Sequence, residues 1–384
     1  MTVLLIAVIY LAFISLGLPD SLLGSAWPSM YQAIGSTISG AGTLAMLISA
    51  CTIVSSLLAD RLIHRFGTHS VTTVSVGMTA AALFGFSSCT SYLQLAFWCI
   101  PYGLGAGAVD SALNNYVALH YSSRHMSWLH CMWGVGASLG PWIMGLCLSS
   151  GRGWPSGYRI IGTMQIGLTI ILILSMPLWK QKTEAQEAET AHKVLSLAEA
   201  VSLPKAKAIM TAFLCYCGLE MTAGLWAASW LVSEKGIAPE AAASFAAFFY
   251  LGITAGRAVS GFISEYFGDQ KMIRLGEGII IAGIVMLIIS GTGPLSRAGL
   301  IVIGLGCAPV YPSIIHSTPA RFGKEHSQSL VGIQMASAYV GSTFAPKVFA
   351  LLSDTLGMGF YPFYLCFFAL LMALMTERAK PEQR

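Results

Sequence analysis

The chain has 384 residues, of which 55% are hydrophobic and 10% charged, with a mean hydropathy of +0.70. That is too little polar surface to cover a water-soluble globule, so a lipid bilayer is the expected solvent. The net charge of +4 comes from Lys and Arg residues scattered singly between apolar runs, which excludes a nucleic-acid-binding face.

Apolar runs of about 20 residues, bounded by charged or Gly/Pro-rich breaks, predict twelve membrane-spanning helices. They lie at 3–27, 41–60, 70–89, 92–120, 126–149, 158–178, 207–232, 240–264, 273–291, 297–317, 327–352 and 359–376. The first run lacks a basic leader and carries Pro19-Asp20 where a cleavage site would need small residues, so it reads as a retained span. The only long hydrophilic stretch begins at Lys180 and divides the spans into two sets of six. The expected fold class is an all-α membrane protein: a six-helix bundle over 1–179, a cytoplasmic linker over 180–206, and a second six-helix bundle over 207–384. Nine cysteines lie inside the spans without metal-ligand spacing and read as small core hydrophobes; neither a metal nor a cofactor is expected.

Basic residues set the orientation. Arg61, Arg65, Arg124, the lysines of 180–207, Lys271, Arg274, Arg321, Lys324 and those after residue 377 fall on one side, against Arg152, Arg159, Lys235 and Arg297 on the other. Both termini are therefore expected in the cytoplasm.

Three carboxylates stand out where an ordinary span would not tolerate them: Asp20 in the first, Asp110 in the fourth and Glu220 in the seventh. Near the bilayer centre such a group costs at least about 2.5 kcal/mol, so each is expected to face a wet interior and to be a candidate proton-coupling residue. No basic residue lies at similar depth in the first six spans, whereas Glu220 has a candidate partner in Lys347. Around these acids the helical spacing makes stripes. Gly103, Gly107, Asp110 and Asn114 share one face of the fourth span, and His130 shares a face with Gly134 on the fifth. Glycine stripes in membrane helices are packing devices, and they are read so here. Of the adjacent amides Asn114 and Asn115, one is expected to face the interior and the other a neighbouring helix. His130 reads equally as an interhelical donor or as a substrate or proton ligand. Trp226, Trp230, Tyr311 and Gln334 are the candidates on later spans, the tryptophans serving either core packing or a cavity wall.

The chain also repeats itself. Gly103-Leu-Gly-Ala-Gly-Ala-Val-Asp110 reads against Gly304-Leu-Gly-Cys-Ala-Pro-Val-Tyr311 at an offset of 201, and Asp20 and Gly24 fall on Glu220 and Gly224 at 200. A weaker echo sets Ala137-Ser-Leu-Gly-Pro141 against Ser342-Thr-Phe-Ala-Pro346. Two six-span halves repeated in parallel are the architecture of the major facilitator transporters.

Specific residues extend that resemblance. Ala59-Asp60-Arg61-Leu-Ile-His64-Arg65-Phe-Gly67 resembles the cytoplasmic signature of the superfamily, in which an acid and basic residues brace the inward gate, and Gly256-Arg257 leading to Glu265-Tyr-Phe-Gly268 is a degraded second copy. The chain is most similar to the fucose–proton symporter branch, through Asp20 before Trp27-Pro28, Asp110 with Asn114, His130 with Gly134-Val-Gly136, Glu220, and Gly304-Leu-Gly306 with Pro309 and Pro312. It departs from that branch in having Asp rather than Glu in the fourth span and Asn115 where the branch has proline. The resemblance implies a gate formed by Asp60, Arg61, Arg65 and Arg257.

Enzyme chemistry finds no support, since HExxH and Walker A patterns are missing from the sequence. The expected function is proton-coupled uptake of a sugar or similar small polar solute by alternating access, in the inner membrane and as a monomer. Asp20 is the expected proton carrier, Asp110 and Asn114 the groups that pair substrate hydroxyls, and Asn115, His130, Trp226, Trp230, Tyr311 and Gln334 the further substrate ligands. The alternative is a proton-coupled efflux pump for drugs or amphiphilic cations, which buried acids and apolar walls would also suit.

Overall fold

The computed structural model describes residues 2–20, 22–31, 33–36, 40–179, 195–237, 239–291 and 294–380. Its regular elements are helices, with no strand among the described residues. Lipid offers backbone groups no hydrogen-bond partner, and a helix satisfies them within its own segment. In chain order the helices are α1 (Thr2–Asp20), α2 (Leu22–Met30), α3 (Gly40–Ser88), α4 (Tyr92–His120), α5 (Ser123–Ser149), α6 (Gly153–Leu174), α7 (Leu197–Ser202), α8 (Ala206–Lys235), α9 (Pro239–Phe267), α10 (Asp269–Ile289), α11 (Pro294–His316), α12 (Thr318–Phe322), α13 (Ser327–Leu356) and α14 (Tyr361–Arg378). Most of the expected linker falls outside the described residues. Its far end is α7, opened by a capping box in which the Ser196 hydroxyl accepts the Glu199 N–H and the Glu199 carboxylate accepts the Ser196 N–H.

Among the described residues, eight stretches of helix are long and apolar enough to cross a bilayer. One of them, α3, has 49 residues and covers two predicted spans; it breaks at Gly67, whose φ of 77° is open to glycine. Three other helices, α4, α9 and α13, coincide with predicted spans.

The chain divides into two compact units, one of residues 1–116, 129–194 and 324–332 and the other of 117–128, 195–323 and 333–384. The linker is thus not the only place where the chain passes between them. In the first unit α3 and α1 pack on α6 around a core of Leu18, Trp27, Leu83, Phe86, Tyr102 and Tyr158. In the second, α11 lies against both α9 and α10, and α8 against α14.

The sequence repeat reappears in these contacts. A Cβ at Gly103 would strike the Ile48 carbonyl, and one at Gly304 the Phe249 carbonyl. Gly105 meets the Ser75 carbonyl as Gly306 meets that of Gly276, and Gly136 meets Ile14 as Gly341 meets Leu214. In the first two pairs both partners shift by 201 residues; in the third the shifts are 205 and 200. The glycine stripes are therefore close-packing surfaces, occupied by neighbouring backbone.

Candidate functional site

In the first unit Asp20 ends α1 with its side chain exposed. The Tyr102 hydroxyl of α4 donates to Oδ1 at 3.1 Å, and the Trp133 indole of α5 donates to Oδ2 at 2.9 Å. A carboxylate offers about four acceptor positions, so two such bonds orient the group and leave capacity on its open side. Neither donor stands out in the sequence, because aromatic residues make up 11% of the chain.

Asp110 is placed differently, buried at 6% exposure. Asn114 Nδ2, one helical turn on, donates to its Oδ1 at 2.7 Å and to its backbone carbonyl at 3.0 Å. Asn114 Oδ1 faces His130 Nε2 at 3.0 Å, and because an amide oxygen only accepts, that nitrogen carries the hydrogen. The His130 ring stands edge-on to Phe13, 5.5 Å between centroids. Asp110, Asn114 and His130 therefore form a buried polar chain linking α4 to α5. This corrects the expectation for Asn114, which is fully buried and engaged at both ends of its amide rather than turned to an open interior. Of the two residues expected to take different sides, Asn115 faces the neighbouring helix, accepting from Ser327 Oγ at 2.5 Å.

That bond belongs to a run of three at the start of α13. Gln328 Nε2 donates to Ser111 Oγ at 3.3 Å, and the Ser329 hydroxyl donates to Asp60. The Asp60 carboxylate thus sits at the N-terminal turn of α13, where the helix dipole favours an anion. Arg61 and Arg65 are exposed, Arg65 lying 5.3 Å over the ring of its neighbour Phe66.

In the second unit Glu220 meets Arg257 at 3.3 Å, with side-chain exposures of 16% and 5%. Arg257, expected at the gate, is the buried partner of the seventh-span acid, and Lys347, the partner considered from sequence, is exposed. Tyr216 lies beside both charges and donates to the Cys307 carbonyl at 2.9 Å. Tyr311 packs on Phe213 and Tyr216, with centroids 4.6 and 5.9 Å away, and its hydroxyl points to Met335 Sδ at 3.2 Å. Trp226 is half-buried and donates to the Pro346 carbonyl at 3.0 Å. Trp230 is 2% exposed against Tyr361, so it belongs to the core rather than to a cavity wall. Gln334 is fully buried and accepts from Thr318 Oγ1 at 2.9 Å.

A fourth span acid joins the three singled out. Glu277 of α10, 5% exposed, accepts from Thr376 Oγ1 of α14 at 2.6 Å. It was legible as the one acid inside the predicted span 273–291.

The sequence matches the family model described as Major Facilitator Superfamily over residues 9–346 and again over 208–384. Among curated relatives, Bypass of stop codon protein 6 of Saccharomyces cerevisiae is 21% identical over 397 residues, covering 95% of this chain and 79% of that one. The glucose/mannose transporter GlcP of Bacillus subtilis is 20% identical over 316 residues, covering 79% and 77%. Among solved structures, the transporter FucP in its outward conformation superposes with a TM-score of 0.79 at 14% identity, over 98% of each chain.

Proposed function

Because this chain belongs to the Major Facilitator Superfamily, and so is a multi-pass membrane transporter rather than an enzyme, we propose that it takes up a sugar or similar small polar solute in symport with protons, and that Asp20 carries the proton. The observation that carries this reading is the placement of Asp20, an acid within an apolar stretch that is oriented by two neutral donors and keeps an open side. Low dielectric penalises a charged carboxylate, so protonation removes the cost that opposes closing a membrane site around it. Protonation changes the same atoms from acceptor to donor, which ties the proton to how a substrate hydroxyl is held.

The family fold supports the rest of the proposal: twelve spans in two parallel-repeat bundles, alternating access, residence in the inner membrane with cytoplasmic termini, and action as a monomer. In the second unit Glu220 and Arg257 offer an acceptor and a donor beside tyrosine rings, a mixture that suits sugar hydroxyls and the apolar face of a sugar ring. The same pair weighs against cation efflux, since the guanidinium cancels the charge an organic cation would seek. The glucose/mannose relative supports the substrate class. Proteoliposome uptake under an imposed proton gradient, screened across hexoses, deoxyhexoses and lipophilic cations, tests the proposal. Accumulation of a sugar is the expected result, and proton-driven movement of cations alone would replace this reading with the efflux pump.

A further inference from the structure

Gln165 of α6 is 1% exposed, and its Nε2 donates to the Ser15 carbonyl of α1. A carbonyl only accepts, so the amide nitrogen must face Ser15; the amide oxygen then points elsewhere, and no protein donor reaches it. Gln165 lines a small cavity together with Ser15, Thr79, Tyr102 and Val109, with room for about one water molecule. The hydroxyls of that wall have spent their hydrogens on helix carbonyls, Ser15 Oγ on Ala12 at 3.0 Å and Thr79 Oγ1 on Val76 at 2.8 Å. They can accept there but not donate. A buried amide oxygen among acceptors and alkyl groups calls for an occupant that brings its own hydrogens.

Tyr102 joins this cavity to Asp20. It forms part of the wall, and its single hydroxyl hydrogen is given to the Asp20 carboxylate. When Asp20 takes up a proton, the acid becomes a donor toward the phenol oxygen, and the phenol hydrogen is released to turn toward another acceptor. We propose that Gln165 holds a water molecule in this cavity, that this water accepts the hydrogen redirected by Tyr102 while donating to Gln165 Oε1, and that Gln165 is thereby a positioning residue for the proton step at Asp20. The proposal rests on the reading of Asp20 as proton carrier. No covalent bond is made beyond the O–H formed on Asp20, and the rest is a reversal of hydrogen bonds. Tyr102 is the titratable side chain facing Asp20 from α4, Trp133 faces it from α5 without titrating, and Ser15, Thr79 and Gln165 do not titrate.

The test uses the purified full-length protein and two readouts. Infrared difference spectra in ordinary and oxygen-18 water report an internal water by its isotope-shifted O–H band. Proton binding, followed with a pH indicator, reports the group lost in Asp20→Asn. Wild type is expected to show the water band, and Gln165→Leu to lose it and to need about tenfold higher proton concentration for half-protonation, the factor expected from the net contribution of one hydrogen bond. Thr79→Val, which removes an acceptor and leaves the Ser15 contact in place, should weaken the band in the same direction and serves if Gln165→Leu fails to fold. A water band kept in Gln165→Leu, or a proton titration unmoved by it, overturns the proposal. If Asp20→Asn binds protons like wild type, the proton-carrier reading has failed and takes the relay with it; that result is read from the proton titration of Asp20→Asn, whereas loss of the water site is read from the isotope band of Gln165→Leu against wild type.

Discussion

The guanidinium of Arg257 lies 3.3 Å from the Glu220 carboxylate, and with 5% and 16% of their side chains exposed the two charges depend on each other. Continuing α9 to Phe267 puts Arg257 ten residues from the helix end, about 15 Å at the α-helical rise, which is too deep for the head group to snorkel to the interface. Replacing either partner alone strands the other in a low-dielectric setting, whereas replacing both removes the whole desolvation penalty.

Arg257→Leu is therefore expected to destabilise the protein by about 3–5 kcal/mol, and Glu220→Leu by a similar amount, while the double variant recovers most of the loss. Thermal unfolding in detergent, read as a double-mutant cycle, measures this. Additive losses would show that the two side chains do not act as a pair.

The chain from Asp110 through Asn114 to His130 gives a second expectation. Asn114→Ala deprives a buried carboxylate of its donor and a buried imidazole of its acceptor, at about 1–3 kcal/mol for each group left unsatisfied. Asn114 is fully buried, so the change should appear first as lost thermal stability. His130→Phe in the same background should cost less than it does alone, because the bond between the two side chains is already lost. A large further loss in that double variant would mean that His130 serves a separate purpose.

Much of this arrangement was legible from residue chemistry. The cost of a carboxylate in lipid marked Asp20, Asp110 and Glu220, and the repeat offset of 201 anticipated the matched packing of Gly103 on Ile48 and Gly304 on Phe249. What escaped was set by helix rotation and depth, which periodicity in a uniformly apolar span does not specify. Tyr102 and Trp133 are two of many span aromatics until packing aims them at Asp20. The pairing of Arg257 with Glu220 joins two helices and that of Glu277 with Thr376 joins two others, so neither follows from spacing along a single span.

At the start of α13, Asp60 accepts from Ser329. If this contact braces the cytoplasmic gate, Asp60→Ala and Ser329→Ala should each raise the reactivity of cysteines introduced nearby, and the two effects should not add, with a coupling of about 0.5–3 kcal/mol in stability. Asp60→Lys should be worse than Asp60→Ala, because a cation opposes the α13 dipole where an alanine is merely neutral. Equal behaviour of the lysine and alanine variants would rule out the electrostatic part of this account.

The last expectation concerns energy coupling at Asp20. Asparagine has the shape of the protonated acid and can still accept from Tyr102 through its oxygen, but it cannot release a proton, and its amide nitrogen cannot accept from the Trp133 indole. Asp20→Asn should therefore lose gradient-driven accumulation while counterflow exchange, which needs no net proton movement, stays measurable. Asp20→Glu keeps the proton chemistry but carries the carboxylate one methylene further, off two donors now placed at 3.1 and 2.9 Å, so it should accumulate substrate more slowly without losing the response to pH. Tyr102→Phe removes one donor from the ionised acid and favours its neutral form by about the net value of one charge-assisted hydrogen bond, roughly 1.5–3 kcal/mol, which should move half-maximal uptake to higher external pH. Uptake assays in proteoliposomes with the gradient imposed or collapsed separate these cases. Undiminished proton-driven uptake in Asp20→Asn would sink the assignment and move the search for the carrier to Asp110 and Glu220.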